Sequence, residues 1–353
     1  MFFESNWTGA LLRIAVTTGF IFGVLVYFLV YAERKVSAFI QDRVGPNRVG
    51  PLGLLQGLAD GIKFVFKEDL RPSGVSKFLY AFAPYAAVFP AILAFAAVPY
   101  GVREVNGVLV PLAIANIDVG VLFTISVSSL GVFSIILAGW ASNSKYPILG
   151  GLRAAAQVIS YEIPLGLSIM SVLLLAGSTD FSQIVATQRE SAWFILLCPM
   201  GFLLFMISVF AETNRLPFDM PEGETEIIGF HSEYSSLKFA MFFMAEYANM
   251  VTVSCVGVLL FLGGWELLPF VSWQDLSGAV GIDILGHPIL WFVTVLWFLV
   301  KLSFLLFLFI WVRWTLPRFR YDQLMRLGWK RLIPWSLFNL VVTMIVVIWM
   351  AKS

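Results

Sequence analysis

The chain has 353 residues and a formal net charge of +1, with 59% hydrophobic and only 13% charged residues. Soluble domains have about 25% charged residues, so this composition excludes an ordinary soluble enzyme and favours a polytopic helical membrane protein. The balanced charge gives no attraction for nucleic acid, and the only two cysteines, Cys198 and Cys255, cannot form a disulfide framework. The sequence contains no glycine-rich nucleotide-binding motif, and no cleaved signal peptide is expected.

Eight apolar stretches are long enough to cross about 30 Å of hydrocarbon as helices. They are predicted at roughly 11–31, 78–99, 119–140, 159–177, 192–211, 237–262, 288–312 and 334–350. The predicted fold class is therefore an all-α polytopic membrane protein, in which residues 1–353 form a single membrane domain. An even number of spans places both termini on the same side of the membrane.

The distribution of basic residues predicts which side that is. The four connectors after the odd-numbered spans contain 18 of the 23 Lys and Arg residues, counting Lys238 at one edge. The positive-inside rule makes these connectors cytoplasmic, so both termini are expected to face the periplasm of a bacterium, with the chain in the inner membrane. The cytoplasmic connectors are 32–77, 141–158, 212–236 and 313–333.

The first connector contains a predicted amphipathic helix at 54–68. Leu58, Ile62 and Val65 fall on one face of this helix, and Asp60 and Lys63 fall on another. Fifteen residues make a helix of about 22 Å, which is too short to span the membrane. We expect this helix to lie at the membrane interface or against the spanning helices.

Three ionisable residues stand out inside predicted spans: Glu162, Glu246 and Lys301. Each costs about 2.5–3.5 kcal/mol to insert into the membrane, and for this reason such residues mark functional sites by default. The structural alternative is that they are anchors, with Glu246 and Lys301 forming an ion pair.

Connector 212–236 begins with five carboxylates and one arginine within fifteen residues. Pro217 and Pro221 prevent a continuous helix across it. Because neighbouring carboxylates repel each other, at least one is expected to hold a proton near neutral pH, which suits a proton relay. The alternative is a solvated acidic loop. The charged residues are Glu212, Arg215, Asp219, Glu222, Glu224 and Glu226.

Several ordered motifs resemble one family, the quinone-site membrane subunit (H type) of respiratory complex I, the proton-pumping NADH:quinone oxidoreductase. The matching blocks cover about 31–68, 139–166, 210–249 and 301–333. The motifs are YAERK at 31–35, QDRVGPN at 41–47, GWASNSKY at 139–146, QVISYE at 157–162, EYSS at 233–236, AEYAN at 245–249 and LPRFRYDQLM at 316–325.

The resemblance implies that the chain helps to form a chamber for a quinone substrate, expected to be ubiquinone. FMN, the iron–sulfur clusters and the NADH site would belong to other subunits. The implied partners are the peripheral-arm iron–sulfur and quinone-site subunits, the small membrane subunits and membrane lipid. The quinone-binding or entrance residues implied by the motifs are Arg34, Arg43, Asp60, Arg215, Asp219 and Arg320.

The resemblance also implies a proton path from the chamber into the membrane. Some relatives carry an acid in the third span, whereas here that span has no acid and contains Ser126, Ser128 and Ser129. Any proton station there is expected to be a serine or water chain. The path residues are Glu162, Glu212, Glu222, Glu224, Glu226 and Glu246, to which we add the intramembrane Lys301.

Two other functions remain open on the sequence alone. An ion-coupled secondary transporter would use Glu246 and Lys301 as its midplane ion site, but the inverted repeats typical of such folds are not evident. A purely structural adaptor would need no acids beside a chamber.

Overall fold

The structure is a computed structural model and describes residues 7–105, 108–220, 229–269, 273 and 291–350. It is almost entirely helical, and seven helical segments within these ranges are long and apolar enough to cross a membrane. The predicted all-α polytopic class is therefore confirmed. The helices are α1 (Trp7–Phe20), α2 (Val26–Ile40), α3 (Gln56–Phe66), α4 (Lys77–Phe95), α5 (Gly120–Ser129), α6 (Gly131–Ala141), α7 (Lys145–Ala176), α8 (Phe181–Glu190), α9 (Phe194–Leu197), α10 (Pro199–Glu212), α11 (Ser236–Phe261), α12 (Phe292–Thr315), α13 (Tyr321–Leu327) and α14 (Ile333–Met350).

Three spanning helices extend well into segments that we expected to be connectors. One π-helical turn joins α1 to α2 and another joins α13 to α14, so that both pairs run without interruption. Helix α7 has 32 residues, or about 48 Å, which exceeds the hydrocarbon thickness. Hydropathy marks only the apolar part of each helix, whereas the backbone of α7 remains helical through Pro164 until Gly177, in the left-handed conformation, caps it.

The predicted fifth span is broken. The helix is interrupted at Cys198, and α10 begins at Pro199, whose fixed φ suits the first position of a helix. Its 14 residues reach only about 21 Å, which is why this span is not among the seven long helices.

The third span is also divided, because α5 ends at Ser129 and α6 begins at Gly131. The predicted amphipathic helix is confirmed as α3, in which no residue is buried. The elements that we did not predict include α8 and a hairpin in which β1 (Val102–Val105) pairs antiparallel with β2 (Val108–Pro111).

Helix α11 forms the centre of the bundle. Most of its residues are buried, and it packs against α2, α4, α10 and α12. A helix that is apolar on all sides can bury its whole circumference only in the middle of a bundle. Any polar side chain on α11 therefore needs a partner inside the protein, and this requirement positions the site described next.

Candidate functional site: a buried chain of charges

A buried ionic cluster lies where α2, α11, α12 and the loop after α10 meet. The carboxylate of Glu33 on α2 forms an ion pair with Arg313 on α12. It also accepts a hydrogen bond of 2.5 Å from the hydroxyl of Tyr247 on α11. The Arg215 guanidinium lies 3.5 Å from the same carboxylate and 4.1 Å from the centre of the Tyr247 ring. Glu33 and Arg215 are both buried, so these charges must balance one another with little help from water.

Arg215 is held in its charged form by its neighbours. Burial opposes the charge, but the electrostatic influence of Tyr247, Glu33 and Glu246 outweighs that opposition and raises the pKa of Arg215. Its Nε and Nη2 atoms are buried and donate no hydrogen bond within the described part of the chain. Arg215 is thus a permanent cation with N–H groups available for a further acceptor.

The loop that carries Arg215 is fixed from two sides. The side-chain amide of Gln157 on α7 donates to the carbonyl oxygens of Ala211 at 2.7 Å and Phe218 at 2.6 Å. On the other side, Asp219 forms a 2.8 Å ion pair with Arg318. Because both contacts involve buried groups, they hold the loop in one position against α7 and the segment before α13.

Two of the predicted path carboxylates, Glu162 on α7 and Glu212 at the end of α10, lie close enough to repel each other. Serines at the end of α5 lie beside both of them. Ser128 donates to Glu212 Oε1 at 2.7 Å, and Ser129, whose hydroxyl donates to the carbonyl oxygen of Ile125 at 3.0 Å, lies close to Glu162. Two serines of the third span, Ser128 and Ser129, therefore lie beside two carboxylates.

A polar cavity of about 50 Å³ lies between Glu212 and Glu246. It is also lined by Ser134, Asn214 and Asn249. The Oε2 atom of Glu212 and the Oδ1 atom of Asn249 are buried and accept no hydrogen bond from the described residues. A site needs roughly 10–15 Å³ for one water, so this cavity has room for a few waters that would satisfy both atoms.

The structure brings together only some of the predicted quinone-binding residues. Arg34 and Asp60 form an ion pair of 2.5 Å between α2 and α3. Partial burial acts to raise the pKa of Asp60, but hydrogen bonds from Arg34 and Gln56 outweigh this effect, so the pKa of Asp60 is lowered. Arg43 and Arg320 are exposed and join neither this pair nor the Glu33 cluster; Arg43 donates to Gln41, and Arg320 lies 3.6 Å from Asp322.

The structural alternative, in which Glu246 and Lys301 form an ion pair, is wrong. The Lys301 ammonium is bound to carbonyl oxygens just beyond the end of α11, the first of them on Leu262. Glu246 lies sixteen residues earlier on the same helix, which is roughly 24 Å along its axis. Lys301 therefore contacts the C-terminal end of α11, well away from Glu246.

The remaining acids of the loop, Glu222, Glu224 and Glu226, lie outside the described residues. Their predicted place in the path stays a prediction.

Sequence reasoning missed Glu33. It falls at the start of the segment that we expected to be a solvated connector, so its charge needed no explanation. The signal was present as a helical stripe, because Val26, Leu29, Glu33 and Ser37 follow the spacing of one helix face and all four are buried. Extending the first span by two turns would have placed Glu33 inside the protein.

Comparison with known proteins identifies the family. The sequence model of the NADH dehydrogenase family matches residues 12–344. The H-type subunit of the NADH-quinone oxidoreductase of Leptospira biflexa is 49% identical over 330 residues, covering 90% of this chain and 88% of the relative. An H-type subunit of the NADH-quinone oxidoreductase of Geobacter metallireducens is 48% identical over 343 residues, covering 93% of each chain. The chain therefore belongs to the NADH dehydrogenase family, alongside the H-type subunits of bacterial NADH-quinone oxidoreductases.

Proposed function

We propose that this chain helps to form the quinone chamber of an NADH-quinone oxidoreductase and couples quinone reduction to proton translocation through its buried carboxylates. One observation carries the proposal. The carboxylates of Glu162, Glu212 and Glu246 follow one another through hydroxyl groups and a polar cavity that can hold water. A proton can cross such an array by short transfers between hydrogen-bonded groups.

The chemistry of quinone reduction supplies the driving force. Reduction adds negative charge to the quinone before protons arrive. At an effective dielectric constant of about 20, a unit charge 10 Å from a carboxylate interacts with it by about 1.7 kcal/mol. That energy shifts the protonation equilibrium of the carboxylate roughly twentyfold. A transient quinone anion can therefore load a proton onto a carboxylate of the loop at 212–236.

Arg215 and Glu33 link the loop to the membrane carboxylates. Arg215 interacts with the anionic charges of both Glu33 and Glu246. When Glu246 takes up a proton, it loses its attraction for Arg215, which then interacts more strongly with Glu33. The cluster can therefore respond to the protonation of Glu246 without any large movement of the backbone.

The proposal also covers the substrate, the partner subunits and the location of the chain. Quinone, with ubiquinone as the expected species, is the substrate, and the peripheral-arm subunits hold FMN and the iron–sulfur clusters. The other partners are the small membrane subunits and lipid. The chain lies in a bacterial inner membrane with its termini in the periplasm. The exposed pair Arg34–Asp60 would lie at the entrance of the chamber, where its charges can still reach solvent.

The test is the substitution Glu246→Gln, which keeps the shape of the side chain and removes its proton-binding site. In the assembled complex we expect proton translocation and coupled quinone reduction to fall by about tenfold or more. Electron transfer from NADH to an artificial acceptor should stay unchanged. The matched control is Glu190→Gln, at an exposed position at the end of α8. Normal proton translocation in Glu246→Gln would remove this residue from the path.

A further inference from the structure

We predicted Lys301 as part of the proton path, but this buried charge lies outside the array of Glu162, Glu212 and Glu246. It lies in the third turn of α12, and only 7% of its surface is exposed. An ammonium group inside a membrane bundle needs compensation, because its transfer from water is costly. The surroundings of its Nζ atom show how this compensation is achieved.

Three carbonyl oxygens surround the Lys301 ammonium. Nζ donates to the carbonyl oxygens of Leu262 at 2.7 Å, Gly264 at 3.0 Å and Glu266 at 2.5 Å. An ammonium group has three N–H bonds, so all of its donors are used. The ring centre of Trp193 lies 4.2 Å from Nζ and adds a cation–π contact.

The backbone is shaped around this charge. Gly263 and Gly264 both have positive φ values, of 68° and 52°, and turn the chain so that alternate carbonyls point inward. A Cβ atom on Gly263 would lie only 2.3 Å from Trp193 Nε1, so the close approach of the ring requires glycine. These carbonyls follow the end of α11, where unsatisfied acceptors and the helix dipole both favour a cation.

The geometry points to a carbonyl cage for a primary ammonium ion, in which Lys301 is the built-in occupant. The carbonyls of Leu262, Gly264 and Glu266 and the ring of Trp193 form the cage. A neutral amine would turn its lone pair toward a carbonyl oxygen or toward the ring, and both contacts are repulsive. Lys301 is therefore a fixed cation and not a proton station. It acts as a positioning residue that ends α11, the helix that carries Glu246 and Tyr247.

Substitution at position 301 tests the cage in the assembled complex. Lys301→Ala removes the ammonium and three methylene groups, so n-propylammonium matches the missing atoms. We expect Lys301→Ala to lower the thermal midpoint of the complex and its coupled quinone reduction, the latter by about tenfold, because hydrogen bonds to a charged group are strong. Added n-propylammonium should restore both. Tetramethylammonium, which has the same charge but no N–H donor, should restore neither.

A second variant, Lys301→Met, fills the space of the lysine side chain but carries no charge. We expect it to be destabilised, to keep a normal ratio of protons to electrons in whatever complex assembles, and to gain nothing from n-propylammonium. If Lys301→Ala blocks assembly, then n-propylammonium supplied during growth should restore it.

Three results would overturn the cage: wild-type stability in Lys301→Met, a lowered proton-to-electron ratio in stable Lys301→Met complex, or no effect of n-propylammonium on Lys301→Ala. None of them depends on the path through Glu246, so the two proposals can fail separately.

Discussion

At the scale of single residues, Glu33 shows how one carboxylate can organise several helices. It contacts Arg313 on α12, Tyr247 on α11 and Arg215 in the loop after α10. The carboxylate of Glu33 is buried between the two positive charges of Arg215 and Arg313. Because water cannot screen these charges, both arginines need this carboxylate as a counter-charge more than an exposed arginine would. The motif that contains Glu33 was recognised from the sequence, but its burial was not.

The substitution Glu33→Gln should therefore destabilise the protein strongly. It leaves Arg215 and Arg313 facing each other without a counter-charge, which typically costs about 3–5 kcal/mol for a buried pair. The measurement is the thermal midpoint of the purified complex, together with the amount of complex assembled. Asp60→Asn is the control, since it breaks a solvent-exposed pair worth about 0–1 kcal/mol. Equal stability of the two variants would contradict the buried cluster.

At the scale of elements, α14 docks on the bundle through an unusually polar stripe. Ser336, Asn339 and Thr343 are its buried face, whereas most of its apolar residues are exposed. Asn339 donates to Ser171 on α7 at 3.1 Å and accepts from the thiol of Cys198 at 3.4 Å. Lipid is as apolar as leucine, so hydrogen bonds and close packing hold helices together better than apolar contact does.

The substitution Asn339→Leu should loosen α14. Interhelical hydrogen bonds in membranes contribute on average about 0.6 kcal/mol and at most about 1.7 kcal/mol, and a loss within this range is expected. The readout is the thermal or denaturant midpoint of the purified complex. Met344→Leu, at an exposed position of the same helix, should have no effect. A more stable Asn339→Leu protein would show that apolar packing, and not the polar stripe, holds this helix.

At the scale of the whole molecule, the two ends of the bundle carry different kinds of charge. The end with the basic connectors contains the Glu33 cluster and the acids beside the cavity, while the opposite end contains the Lys301 cage. Glu246 and the carbonyls that hold Lys301 are separated by about 24 Å along α11, so Glu246 and Lys301 do not form the shared ion site that the secondary-transporter alternative requires. The large exposed apolar faces of the outer helices are typical of a polytopic membrane protein.

The assembly itself can be tested by purifying the chain from its native membrane. We expect a tagged chain to copurify with iron–sulfur subunits and with NADH:quinone reductase activity. In that complex, a photoreactive quinone should label residues within 34–72 or 212–236, and excess quinone should suppress the labelling. Purification of the chain alone, or labelling confined to the outer faces of the spans, would argue against a place at the quinone chamber.

The amino-acid sequence by itself determined the class of the protein, its family and most of its spans. The hydropathy of a stretch of some twenty residues is a local property of the sequence, and so is an ordered motif. Both can therefore be recognised without knowledge of the tertiary structure. The tertiary structure alone decided that Glu33 is buried, that Ser128 reaches Glu212, and that Lys301 meets the end of α11 instead of Glu246. Those contacts join residues 35–280 positions apart, and their energies depend on burial that only the packed helices create.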